Sequence, residues 1–378
     1  MVPQAPRATA RRILVAAAPG EVRVAVLRGE SLDAYAVWRP GAPDGVGDVH
    51  RGRVSARVPA MAGTFVALPG ERAEAIGFLP DTSGGAGLGV GEAVLVRVVR
   101  AAQGGKGPRL AALPPDDAAG LPGAGAPALL RRGPGAVERL AARYPDAPIL
   151  IDDPALAASL RPALGPRAAH EPGGFDDALE AEIDALAATS VALPGGGAMH
   201  IHPTPALTAI DLDAGAAISV RGGKTAAHLA MNRAAVPELA RQIRLRNLAG
   251  AILVDLAGLP VRQRSAVGPA LAAALAEDDL RPRLLGFTAL GLAEILRPRI
   301  HPPLHEVLAG PHAAGLAALR RIAAEAAAAP AAIPGLRAAP GIVAALQADP
   351  VALAELSRRT GRPLRLEADP QLTGWVLI

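Results

Sequence analysis

Without a single cysteine among its 378 residues, the chain has no covalent cross-link and no thiolate metal site to hold it. Its fold must rest on apolar burial. That core must also be almost free of rings, since only two Trp, two Tyr and four Phe occur. Ala, Leu, Val and Ile have to build it. At 51% hydrophobic and 20% charged residues they are plentiful enough to exclude a wholly disordered chain. The same lack of cysteine excludes an iron–sulfur centre and a cysteine nucleophile. Lys106 and Lys224 are the only lysines among 39 basic residues. A formal net charge of +4 is small for this length, so total charge does not itself point to nucleic acid.

Length sets an expectation of roughly two to three domains. Residues 12–38 form short apolar stretches broken at Gly20 and Arg28-Gly29-Glu30, the spacing of a meander. From Gly47 to Leu113, about five short strands with glycine-rich turns predict a small barrel. The named strands are Gly52–Val58, Thr64–Leu68, Ala75–Leu79 and Ala93–Val99, with one turn at Pro69-Gly70-Glu71-Arg72. Residues 114–136 are rich in Pro and Gly and are expected to be a linker. Beyond it, helices are predicted near Ala136–Tyr144, Pro154–Leu160 and Phe175–Ala188, with a strand at Pro148–Ile151.

Residues 191–300 carry the clearest pattern. Strands at Ala198–His202 and Leu207–Leu212 precede a long helix, about Thr225–Leu248, closed by Gly250. A strand Ala251–Leu256, a helix from Pro260, a strand Arg283–Phe287 and a helix Leu290–Leu296 follow. That order predicts a largely parallel, helix-covered sheet. An Ala/Pro tract near 323–340 leads to helices Gly341–Gln347 and Pro350–Thr360 and a strand Pro363–Leu366. The apolar run Leu248–Val261 contains Asp255 and is too short to span a bilayer. The start, with Arg7, Arg11 and Arg12 before Ile13–Ala18, is loosely like a signal peptide, but Pro19, Glu21 and Arg23 cut the apolar stretch short. A cytoplasmic protein with no membrane partner is expected.

Three constellations bear on chemistry. In Thr208-Ala209-Ile210-Asp211-Leu212-Asp213, a strand puts positions 211 and 213 on one face. Asp255 sits near the end of the strand Ala251–Leu256 reached after the long helix. If the two strands are parallel neighbours, their carboxyl ends share the sheet edge where open α/β sheets place ligands. Carboxylates converging there suit a hard cation, Mg²⁺ or Mn²⁺; equally, each Asp could cap a helix or close a turn. Next, Arg221-Gly222-Gly223-Lys224-Thr225 lacks the first glycine of a nucleotide-triphosphate loop, Ile218 standing there, but a glycine turn at a helix N-terminus can hold a phosphate. Last, Phe65 and Phe78 lie in the barrel among Arg51, Arg53, Arg57, Lys106 and Arg109. They fit either a core or a stacking surface for single strands. His200 and His202 share a strand face without forming a metal motif.

Taken together, the order of segments resembles the ribonuclease E/G family. Gly47–Val54, Gly63-Thr64-Phe65-Val66 and Ile76-Gly77-Phe78-Leu79-Pro80 are similar to its S1-type OB barrel, and Gly104-Gly105-Lys106-Gly107 to a late turn of it. Ala192–Gly197 and Pro205–Asp211 are similar to the start of its DNase I-like domain. Leu239–Gly250 running into Leu253-Val254-Asp255 is the most specific match.

The resemblance implies an α+β multidomain chain. An S1-type OB β-barrel (46–113) is inserted in a reduced RNase H-like domain (1–45 and 114–190). A DNase I-like α/β catalytic domain (191–310) and a small α/β C-terminal domain (311–378) follow. It implies an Mg²⁺-dependent endoribonuclease acting on single-stranded RNA, with Asp211 and Asp255 catalytic and on the metal, and Phe65, Phe78 and Lys106 on the RNA; Asp213 is expected as a third catalytic carboxylate. A catalytically impaired RNA-binding protein is the alternative. Asp213 stands where the family usually has Asn. The zinc link of the family has no counterpart in a chain without cysteine, so no zinc is expected and any homodimer would form without it. A shortened form is expected, lacking the 5′-sensor pair and the C-terminal tail.

Overall fold

A computed structural model describes residues 10–69, 75–194, 196–215, 223–330 and 333–378. Arg7, most of the expected turn at 69–72, Gly195, Arg221 and Gly222 lie outside the described residues. The chain divides into two compact units, one of Asp44–Gly135 with Arg299–Pro302, the other of the remainder.

The smaller unit is a closed barrel. Strands Gly63–Leu68, Ala75–Pro80, Arg109–Ala112, Ala93–Arg100 and Val49–Val58 pair in that order, and the last returns to the first. Period-two alternation sends Val66, Leu68, Leu79, Val96, Val98 and Leu110 inward to form its core. Residues 114–136 are not simply a linker. Pro115–Ala118 forms a short helix, and Ala128–Arg131 pairs with the Val49–Val58 strand as an added edge. In Ala128-Leu129-Leu130-Arg131 the alternation is short, and it becomes a strand by pairing with Val49–Arg51, the start of the long strand that Gly63–Leu68 does not reach.

In the larger unit, strands Arg11–Ala18, Glu21–Arg28 and Ser31–Trp38 form the expected meander, extended by the parallel strands Ile149–Ile151 and Ala168–His170. Both faces are covered. Ile13, Val24 and Val26 pack under helices Ala136–Arg143 and Pro154–Leu164, while Leu14, Ala25 and Leu27 pack against helix Asp177–Ala185. Double burial explains the nearly continuous apolar run of Glu21–Arg28.

The second sheet of this unit runs Ser190–Ala192, Ala198–Pro203, Thr208–Asp213, Gly250–Asp255, Ala293–Arg297, Arg283–Phe287. The expectation of a largely parallel sheet is wrong: among the described residues, only Thr208–Asp213 and Gly250–Asp255 pair in parallel here. The error lies at Leu290–Leu296, expected as a helix. Thr288 and Gly291 close a tight turn, Gly291 at φ 83°, so Ala293–Arg297 returns as an antiparallel strand between its two neighbours.

Helices Lys224–Leu245 and Gly268–Leu275 cover one face, where Met199, Ile201, Ile210, Leu212, Ile252, Val254 and Ile295 form the core. The long helix is closed by Asn247 rather than Gly250. Asn247 takes φ 48° and Leu248 donates back to the Ile243 carbonyl, a left-handed cap that leaves Gly250 to begin the next strand. The C-terminal part has helices Gly310–Ala328, Pro340–Gln347 and Pro350–Thr360 over strands Leu336–Ala338, Leu366–Ala368 and Trp375–Leu377. The Ala/Pro tract is therefore part helix and part strand, and the last predicted strand begins three residues later than Pro363. Among the described residues, no helix is long and apolar enough to cross a membrane.

Candidate functional site

In Thr208–Asp213 the buried Thr208, Ile210 and Leu212 alternate with the exposed Ala209, Asp211 and Asp213. The apolar members seat the strand on the core and thereby turn both carboxylates to the face without the core helices. The adjacent Gly250–Asp255 strand alternates the same way, with Ile252 and Val254 buried. Because these two strands are parallel and Asp211 pairs with Asp255, the two side chains stand side by side on that face. His200 pairs with Asp211 from the other neighbouring strand and is half-buried, while His202 is exposed.

Asp211, Asp213 and Asp255 line one cleft of about 740 Å³, together with Gly223, Lys224, His228, Gly258 and Arg264. Arg264 donates to Asp255 Oδ1 at 2.5 Å and to the Leu259 carbonyl at 3.0 Å. Asp213 Oδ1 accepts the Gly215 N–H at 3.0 Å, closing a turn. Its role is thus partly that of the turn-closing alternative. Among the described residues, no three His, Asp or Glu side chains are grouped to hold an ion. The donors that remain are two carboxylates in register, at an open edge with room for water. Oxygen donors of that number fit Mg²⁺, which keeps several waters and commonly takes one or two carboxylates.

Asn232 joins the long helix to the loop after Asp255. Its side chain, fully buried, donates to the carbonyls of His228 at 2.7 Å and Ala257 at 2.9 Å and accepts from Ala257 N–H at 3.0 Å. His228, Asn232 and Arg264 escape sequence reasoning. The one available signal is that His228 and Asn232 continue the apolar stripe of Val236, Leu239 and Ile243, where a polar residue needs a reason.

In the barrel, Phe65 and Phe78 pair across neighbouring strands, ring centroids 5.7 Å apart and edge to face. Both are half-buried and lie outside the barrel core. A Cβ at Gly63 would stand 2.4 Å from Phe78 Cζ, so glycine there lets the ring rest on the backbone. Lys106 is exposed in the turn closed by its mutual hydrogen bonds with Gln103. Arg51 and Arg53 are tied to the carbonyls of Pro122, Ala126, Gly91 and Gly125.

The cleft falls within a stretch with known counterparts. Residues 174–300 match the family model of the ribonuclease E/G family. The chain resembles that family. It is 39% identical over 132 residues to ribonuclease E of Escherichia coli (strain K12), covering 34% of this chain and 12% of that protein. Against ribonuclease E of Nostoc sp. (strain PCC 7120) it is 39% identical over 120 residues, covering 31% and 17%. Against ribonuclease G of Haemophilus influenzae it is 32% identical over 136 residues, covering 36% and 27%. The matched stretch thus spans less than a third of these relatives. Residues 174–300 contain Asp211, His228, Asn232, Asp255 and Arg264.

Proposed function

We propose that the chain is a divalent-cation-dependent endoribonuclease that cuts single-stranded RNA in processing or decay, acting in the cytoplasm and leaving a 5′-phosphate. The observation that carries this reading is the in-register pair Asp211 and Asp255 on the open face of the sheet, inside the stretch that resembles the ribonuclease E/G family. On this reading the barrel is an S1-type OB fold, the first sheet a reduced RNase H-like domain and the second a DNase I-like domain.

Asp211 and Asp255 would hold Mg²⁺, with Mn²⁺ as a substitute. When bound, such an ion polarises the scissile phosphate and activates water for in-line attack. Arg264 orients the Asp255 carboxylate and brings positive charge to the edge where the phosphate must lie. Asp213 sits two residues on and adds negative charge to the cleft. Phe65 and Phe78 stack bases and Lys106 meets a backbone phosphate.

The test is direct. A short unstructured RNA incubated with the protein and Mg²⁺ is expected to give fragments carrying 5′-phosphates, and EDTA is expected to stop the reaction. One observation favours a second reading, RNA binding without turnover: the Arg264 ion pair already occupies one oxygen of Asp255. Binding without cleavage would establish it, and neither binding nor cleavage would sink both. Phe65→Ala and Phe78→Ala are each expected to weaken binding to single-stranded RNA by about 1–3 kcal/mol in anisotropy titrations. Unchanged affinity would make the pair barrel packing.

A further inference from the structure

One wall of the cleft is chemically distinct from the aspartates. The helix Lys224–Leu245 begins there at Gly223 with no side-chain cap. Its first intrahelical bond is from Ala227 N–H to the Gly223 carbonyl, so the N–H groups of the first turn face outward without acceptors of their own helix. Lys224 is exposed at this end. One turn further along the same face stands His228, only 6% exposed. Neither of its ring nitrogens has a hydrogen-bond partner among the described residues. Buried polar atoms in native proteins are nearly always paired, so an imidazole that lines a cleft without a partner among the described residues is open to a ligand.

The surroundings narrow what that partner is. His228 does not join the aspartates in an ion-holding group. Its ring lies against Gly258, where a Cβ would stand 2.2 Å from Cε1, so no side chain at that position fixes the ring edge. Asn232 ties the His228 turn to the loop behind Asp255, holding this wall in place beside the carboxylates. A lysine, uncapped helix N–H groups and an imidazole N–H are all donors, and the positive end of the helix dipole lies with them. A wall made of such donors selects an anion rich in oxygen. Without a cation between them, Asp211, Asp213 and Asp255 repel an anion from their side of the cleft, whereas this wall attracts one by itself.

We propose that Lys224, the first-turn N–H groups and His228 form a phosphate subsite that holds a nucleic-acid phosphate neighbouring the one cut at Asp211 and Asp255. The subsite rests on the ribonuclease reading for its occupant but not for its chemistry. It fixes the register of the strand: one phosphate is gripped by the helix end while the next one lies at the carboxylate pair.

The experiment is calorimetric titration of the full chain, in Mg²⁺ buffer, with uridine 5′-monophosphate, uridine and inorganic phosphate. The monophosphate is expected to bind at least about tenfold more tightly than uridine, the value of one charge-assisted hydrogen bond. His228→Leu and Lys224→Ala are each expected to remove about that factor for the monophosphate and to leave uridine unchanged. A core role for His228 would not move this ratio, because an apolar residue of similar size satisfies the core equally well. Lys224→Ala, at an exposed position, keeps the test valid should His228→Leu fail to fold. Variants that bind the monophosphate like the parent would overturn the subsite. Inorganic phosphate competing as tightly as the monophosphate would make it a site for free phosphate, overturning the nucleic-acid assignment. RNA left uncut while the His228 dependence holds would overturn the ribonuclease reading alone. RNA cut normally with a monophosphate affinity indifferent to His228 would overturn the subsite alone.

Discussion

Asp255→Asn is expected to fold normally and to cut RNA about a thousandfold more slowly than the parent in saturating Mg²⁺. The asparagine keeps the shape and one oxygen of the side chain but removes its charge. Stability is little affected, because the Asp255 side chain is 48% exposed and a half-exposed ion pair is worth about 1 kcal/mol at most. Arg264 stays anchored through the Leu259 carbonyl. The lost charge acts on the reaction instead. On the proposed reading, halving the anionic ligands would weaken both the hold on the cation and its alignment with the phosphate, a loss of about 4 kcal/mol in the barrier. Asp211→Asn should do the same, and the double variant should be little worse than either, since residues acting as one unit are not additive. Single-turnover rates across a range of Mg²⁺ concentrations separate weakened binding from slowed chemistry. Parental rates in both single variants would remove the carboxylate pair from the mechanism.

The carboxylate pair was legible because strand periodicity is local. Thr208–Asp213 and Ile252–Asp255 each alternate within a few residues, and a single question, whether they are neighbours and parallel, decides whether the two carboxylates meet. The structure answers it through the register of Asp211 with Asp255. The meander and most barrel strands were legible for the same reason. Leu292–Arg297 was not. Its Leu, Ala and Glu favour a helix, yet the alternation Ala293, Ile295, Arg297 is buried between two strands, one of them about forty residues earlier. Pairing overrode propensity there, and with it went the parallel sheet. The Asn247 cap escaped because asparagine takes the left-handed conformation less often than glycine, and Gly250 was close by. Arg264 and His228 escaped for a different reason: what makes each notable is a partner present or missing across the fold, and no spacing encodes that.

Asp33→Asn is expected to cost about 3 kcal/mol of stability. Asp33 is 5% exposed on the strand Ser31–Trp38 and meets three guanidinium groups, Arg244 at 2.7 Å, Arg11 at 2.9 Å and Arg28 at 3.2 Å. Arg244 belongs to the last turn of the long helix and also donates to the Asp33 carbonyl, so this cluster joins the first sheet to the helix that packs under the Asp211 and Asp255 strands. Stripping one partner from a buried ionic cluster costs about 3–5 kcal/mol. The lower end applies, because Arg28 also has Glu277, Arg11 stacks on Tyr144, and only Arg244 is left deeply buried. Burial alone would raise the Asp33 pKa, but the three arginines outweigh it and hold the carboxyl below its ordinary value. A depressed carboxyl pKa stabilises the fold above the unfolded value, near 4, and that contribution is lost as pH falls through the folded value. The gap between parent and variant should therefore stay level from about pH 7 to pH 5 and close below about pH 4. Urea unfolding followed by tryptophan fluorescence measures it where it matters, since Trp38 and Trp375 both belong to this unit. A gap that persisted into acid would show that the asparagine acts through shape and not through charge.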